Sequence, residues 1–281
     1  LSGDEAAQEY LKSMAQVKAK AGQSENKQAV KAADEEQRKR EEAARNRLIA
    51  MKINQAMAKD KLYVIYSKLT RQPYISISPE NKTCMVYVYT SAIWANERVR
   101  QMEEKGEPAM VQIYEKKDYV MRFVRLYCMG VTTVVYDFAH KGFSCGLNQI
   151  VAKKPQNEIP PEKRPIENPA VSLTMLRLLQ ESRKNPDHKD EEMVTAFNRI
   201  FTSTLFNARF LVPSIDVDKD GEKMRTVYVC EHKTKGTHFI PIFTDMFELE
   251  AFNSNHQKLS LMAVTFEGLA TMKFPDIMKE Y

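Results

Sequence analysis

The chain reads as an α+β protein: two repeated mixed-sheet modules with helices packed on the sheets, preceded by an N-terminal helical segment. Three observations predict this. Strand-like and helix-like segments alternate from about residue 59 onward. The same order of elements occurs twice. Residues 1 to about 47 are rich in Ala, Glu, Lys, Gln and Arg and poor in large apolar side chains, a helix-forming composition without a core. At 281 residues, the chain has room for about two domains at roughly 150 residues each.

In the N-terminal segment, Asp4 can cap a helix that Gly22 would end, with Tyr10, Met14 and Val17 as a narrow stripe. Ser24 can cap a second helix through 35–42, which is polar all round and should be solvated. Only its end gains a stripe, Ile49, Ile53 and Met57 beside Leu48, and through that end it should dock on the following domain.

From Leu62 the pattern changes. Strands are expected at 62–66, 74–77 and 84–89, the last dense in β-branched and aromatic residues. Thr90-Ser91 opens a helix that closes near Gly106; a strand follows at 110–114, a helix at 118–128 and a strand at 131–136. Residues 137–142 are a turn, and 143–150 close the module. Five of the twelve prolines fall in 152–170, marking a semi-rigid linker. The expected domains are therefore 1–58, 59–151 and 170–281, with 152–169 as linker. In the last, helices are expected at 170–182, 191–206 and 245–252, and strands at 210–215, 226–230, 237–243 and 261–266.

The repeat rests on two phrases. Met85-Val86-Tyr87-Val88-Tyr89-Thr90-Ser91 and Phe239-Ile240-Pro241-Ile242-Phe243-Thr244-Asp245 both read apolar strand, aromatic, Thr, capping residue, helix. Upstream, 61–67 matches 209–215; downstream, 110–114 matches 261–266. The second copy stops at what looks like the opening of a helix, 274–281, so the natural chain is expected to continue with a strand pairing into the second sheet. It starts at Leu1, not Met, so the native N-terminus is expected upstream; whether a signal peptide preceded it stays open.

Residues 239–245, with Glu248-Leu249 and Ala251-Phe252, resemble the "strand, P-x-F-T-[SD], short helix" core of the SseB (enhanced serine sensitivity) family. Asn168-Pro169-Ala170 before a Leu-rich helix, and Phe210-Leu211-Val212-Pro213, are similar to that module's opening. In the first copy Tyr87 replaces the proline and Tyr89 the phenylalanine. The resemblance covers about 60–151 and 168–281. It implies a bacterial cytoplasmic protein of poorly defined function, and no catalytic residue to carry over.

The residues themselves favour no reaction. Asp216-Val217-Asp218-Lys219-Asp220-Gly221 matches the start of an EF-hand loop, but its twelfth position is Val227 and its flanks are strands, so a hairpin turn is expected. The five histidines form no zinc motif, and a Cys145–His140 nucleophile pair lacks an orienting group. Phosphate loops and nucleophile elbows are absent. The four cysteines lack C-x-x-C spacing and read as buried free thiols in a reducing cytoplasm. Net charge is +5 with both signs mixed, a weak case for nucleic acid, and the basic 98–100 and 122–125 stretches read as amphipathic helix faces. No apolar run reaches the ~18 residues of a membrane span.

The expected function is a non-enzymatic binding or scaffold protein with a protein partner, no cofactor, no metal and no membrane. Trp94, Ile49, Ile53 and Met57 are the candidate partner contacts. The rival is a small-molecule-binding or thiol-dependent enzyme with a cleft between the modules.

Overall fold

The computed structural model describes residues 35–78, 80, 82–154, 156–219, 222–231, 236–253 and 259–271. The chain divides into two compact units, Leu1–Asn54 and Gln55–Tyr281. The described part of the first is helical and belongs to α1 (35–57). Its exposed face is laced at i, i+4 by Glu35–Lys39 (2.8 Å) and Glu36–Arg40 (2.6 Å), the pairing that supports a polar helix. The helix expected at 4–22 and the Ser24 cap lie outside the described residues.

The second unit is α+β. Its first sheet contains β1 (Lys61–Ser67), β2 (Ser76–Ile77) and β3 (Cys84–Tyr89). The chain then forms α2 (Ala92–Glu103), β4 (Ala109–Glu115), α3 (Tyr119–Cys128), β5 (Thr133–Tyr136) and β6 (Phe143–Gly146). Strand order is β4-β1-β3-β5-β6, with β2 also on β3. The β3–β5 pair is parallel and the others are antiparallel. The central strands are apolar on both faces because both faces are covered: Val64, Ile65, Val86, Val88 and Val134 are fully buried. On α3, Tyr119, Phe123 and Leu126 form the buried stripe at i, i+4, i+7. The β3–α2 corner is closed from a distance: the Asp137 carboxylate accepts from the Thr90 backbone N–H (2.7 Å) and hydroxyl (2.9 Å).

The second half follows with α4 (Pro169–Ser182), α5 (Glu191–Phe206), β7 (Arg209–Lys219), β8 (Glu222–Val227), β9 (Cys230–Glu231) and β10 (His238–Phe239). It ends in α6 (Met246–Phe252), β11 (Ser260–Thr265) and α7 (Phe266–Thr271). The sheets are β11-β7-β8 and β10-β9. Around β7, the pairings are laid out as around β1. Tyr63 faces Ile113 and Tyr89; Leu211 faces Ala263 and Phe243. Tyr66 faces Pro73 as Ser214 faces Val227, and Met85 faces Ser76 as Phe239 faces Cys230. One constant offset carries Pro73 to Val227, Ser76 to Cys230, Met85 to Phe239 and Tyr89 to Phe243.

Four expected elements differ. The 237–243 strand is reduced to β10 and one bridge at Phe243. Phe243 exchanges both backbone bonds with Leu211 (2.9 Å each), but the next pair, Pro241 and Pro213, has no N–H on either side, and Pro213 O already accepts from Tyr228 N–H (2.8 Å), so the ladder stops there. The 226–230 strand changes partner and splits into β8, on β7, and β9, on β10. Of 74–77 only Ser76–Ile77 pairs with β3; Tyr74 N–H bonds to β1 instead, at Ile65 O (2.9 Å). Phe266 starts a helix rather than ending a strand, since the Thr265 hydroxyl accepts from Gly268 N–H (3.1 Å) and turns the chain. The EF-hand-like stretch lies on a hairpin: β7 and β8 pair from Ser214↔Val227 to Lys219↔Glu222, with Asp220 and Gly221 outside the described residues. The helix expected at 274–281 is also outside them.

Candidate functional site

Within the second unit, a pocket of about 390 Å³ lies where the two halves meet. It is built from helix faces. On α4, Val171, Met175, Leu176 and Leu179 recur at helical spacing toward it, and on α5 Phe201 and Leu205 stand at i, i+4. Phe210, Ile242 and Phe243 complete the apolar wall. The opposite wall is the end of α3, Arg125, Cys128 and Met129, with Thr70 and Gln72. Gly130 lets the two walls approach. Its φ is +76°, and a Cβ there would sit 2.8 Å from Pro169 O and 2.9 Å from Leu173 Cβ.

The carboxylates of the pocket are already engaged. Asp245, nearly fully buried, caps α6 by accepting from Phe247 N–H (2.9 Å) and Glu248 N–H (3.1 Å), and it accepts the Thr244 hydroxyl (2.9 Å). Arg125 Nη2 donates to Glu248 Oε1 at 2.6 Å. Burial alone would lower the Arg125 pKa, but the hydrogen bond and charge of Glu248 outweigh it and raise it. Arg125 Nε is buried without a partner, leaving one donor over. Burial, helped by Asp245 and Glu167, pushes the Cys128 thiol up to about 12. A thiol held there is not a nucleophile at neutral pH.

A second polar cluster fixes α4 against the first sheet. Lys184 Nζ reaches Glu107 Oε1 (2.7 Å) and Glu181 Oε2 (2.8 Å), and the Tyr74 hydroxyl donates to Glu107 Oε2 (2.5 Å). Arg177 donates to Ile75 O (2.7 Å) and Arg183 to Leu69 O (2.9 Å). Burial and Glu107 together push the Tyr74 pKa up. The seam is thus held by fixed bonds on the flank of the pocket.

The residues singled out from sequence do not converge there. Trp94 is half-buried in the first turn of α2, packs on the first-sheet core and stacks on His140 at 4.8 Å between ring centroids. The His140 ring also approaches Glu97 (3.4 Å), so it packs against α2, and Cys145 is a buried thiol pushed up to about 12 by desolvation. Ile53 is buried and Ile49 half-buried on α1. Met57 Sδ accepts from the Tyr136 hydroxyl at 4.0 Å. The basic stretches are occupied: Arg98 lies over Tyr87 (4.9 Å) and Phe138 (5.0 Å), and Arg122 over Tyr114 (5.4 Å). Sequence reasoning missed the pocket lining. The Leu-rich helix at 170–182 was visible, but the wall it faces, at Arg125 to Met129 and Thr70 to Gln72, comes from elements distant in sequence. Among the described residues, no cluster of three or more His, Cys, Asp or Glu is placed to hold a metal ion, and no helix is long and apolar enough to cross a membrane.

No protein-family model matches the chain, and no curated protein matches it. Among solved structures it is similar to Tic22 from Plasmodium falciparum, with 11% identity, 79% of this chain and 86% of that chain covered, and a TM-score of 0.21. It is also similar to Anabaena Tic22 (protein transport), with 10% identity, coverage of 81% and 88%, and the same TM-score of 0.21. Likeness at that score carries no function from those chains to this one.

Proposed function

We propose that the chain is a non-enzymatic binding protein of the SseB type, made of two tandem α+β modules, whose seam pocket holds an apolar group of its partner. A single observation carries the reading: the pocket is apolar and of ligand size, while its acid, its ion pair and its thiol are all committed to structure. The shared offset of the pairings around β1 and β7 supports the tandem modules. The unpartnered Arg125 Nε–H favours an occupant with an acceptor at one end of its apolar body. A reducing cytoplasm belongs to the same reading, supported by four free thiols.

The cleft also meets the first requirement of the rival, a small-molecule enzyme. It lacks the second, a poised group, because the titratable side chains in it are paired, capping or held neutral.

The test is equilibrium binding of 1-anilinonaphthalene-8-sulfonate, an apolar body with an anionic end, to the full chain and to Leu179→Trp. Saturable binding that the tryptophan abolishes, with an unchanged melting temperature, supports the pocket. Equal binding by both proteins sinks it.

A further inference from the structure

The seam pocket carries one cation, Arg125, and two carboxylates, Glu248 and Asp245, among its described lining residues. Their bonds decide which charges remain for an occupant. Glu248 takes Arg125 Nη2 at 2.6 Å, so the guanidinium charge is already answered. Asp245, 3% exposed, takes the Phe247 and Glu248 N–H groups and the Thr244 hydroxyl, so the first amides of α6 are spent on it. The sum is one negative charge. Cys128, on the same wall, senses that sign. Burial is the first cause of its raised pKa, and among the charges Asp245 and Glu167 raise it ahead of the opposing pull of Lys153 and Arg125. One buried donor stays over, the Nε–H of Arg125. A buried N–H without a partner is unfavourable, so it calls for an acceptor. An anion brings the acceptor and also a further negative charge into a site of low dielectric. An ammonium brings no acceptor. A neutral carbonyl oxygen answers the donor and leaves the charge sum as it is.

We propose that the occupant of this pocket is an uncharged carbonyl compound, an amide or ester on an apolar body, and that Arg125, Glu248 and Asp245 together select it over the matching carboxylate. This rests on the seam pocket being the binding site, and it adds the head group. The size fits. A cavity of about 150 Å³ takes one benzene ring, and 390 Å³ leaves room for a ring, a short chain and the head group. Met129 and Met175 in the walls can adapt to the shape of the body. The sulfonate of 1-anilinonaphthalene-8-sulfonate is tolerated rather than sought, since the rings carry that probe in.

The probes are 4-phenylbutanamide and 4-phenylbutanoate, equal in body and different in charge. Each is titrated into the full chain near neutral pH while NMR follows the Met175 and Leu179 methyls. The amide is expected to bind at least about tenfold more tightly than the carboxylate, and Leu179→Trp to weaken it at least about tenfold. Glu248→Gln removes one negative charge and keeps an acceptor for Arg125. In that variant the amide-to-carboxylate ratio should fall at least about fivefold, a change that loss of shape alone does not give. Its melting temperature shows that it has folded, and the two probes on the parent decide the matter without it. Equal binding of both probes by the parent, or tighter binding of the carboxylate, with either lost in Leu179→Trp, would overturn the head-group proposal and leave the pocket standing. An unchanged ratio in folded Glu248→Gln would also overturn it, since shape would then set the preference. If neither probe moves these methyls, the pocket is closed to ligands, and the pocket reading falls together with the proposal.

Discussion

Replacing Lys184 by methionine should open the seam between α4 and the first sheet. The ammonium side chain is 9% exposed and stands between Glu107, 25% exposed, and Glu181, 5% exposed. Methionine keeps the length and removes the charge. Two carboxylates are then left together, one of them buried. Removing one partner of a buried pair costs about 3–5 kcal/mol, and the partial exposure of Glu107 places this one near the lower end, at about 3 kcal/mol. For a unit of this size, that lowers the melting temperature by roughly 6–12 °C. Calorimetric unfolding of both proteins measures it. The pH dependence gives an independent sign. The two carboxylates overcome desolvation and raise the Lys184 pKa in the folded chain. The folded state therefore holds that proton more tightly than the unfolded chain does. The stabilisation is complete below the ordinary lysine value of about 10.4 and is lost as pH rises through the raised folded value. The gap between parent and Lys184→Met should accordingly shrink above about pH 10.4. Adding Glu107→Gln should restore part of the loss by removing one uncompensated charge. A Lys184→Met protein within about 0.5 kcal/mol of the parent would show that the cluster behaves as a surface pair and refute the reasoning.

Three further outcomes are expected. Gly130→Ala should lose about 1–3 kcal/mol, since its φ of +76° and the 2.8 Å approach to Pro169 O both oppose a side chain; denaturant melts measure it. Asp245→Ala removes the α6 cap and should cost about 1–2 kcal/mol, whereas Asp245→Asn should retain most of it, by the same melts. Native Cys128 should react with iodoacetamide at pH 8 at least about a hundredfold more slowly than in the denatured chain, with the rate climbing toward pH 12; peptide mapping reports it.

Much of the fold was legible because local chemistry and tertiary context agreed. The 84–89 run is β-branched and aromatic and became the buried β3. Asp245, read from the sequence as a capping residue before a helix, does cap α6. Where context won, the signal was misleading. Phe239 to Phe243 looks like a strand by composition, and the facing prolines Pro241 and Pro213 reduce it to its ends. Ser91 stands at the N-cap of α2 without a side-chain bond, and the corner is closed instead by Asp137, distant in sequence. The pocket was not legible, because a stripe on α4 reads as ordinary core until the end of α3 faces it. The same holds for Lys184 and Glu107, two ordinary surface residues by sequence, which become a buried pair only after both halves are placed.

The most direct test of the central claim is a methyl NMR titration of the full chain with 1-anilinonaphthalene-8-sulfonate. The account predicts saturable, concerted shifts of the Met175, Leu176 and Leu179 methyls, none at Met102 on the buried face of α2, and recovery of the probe unchanged. Shifts that gather elsewhere, or that miss α4 altogether, would contradict it.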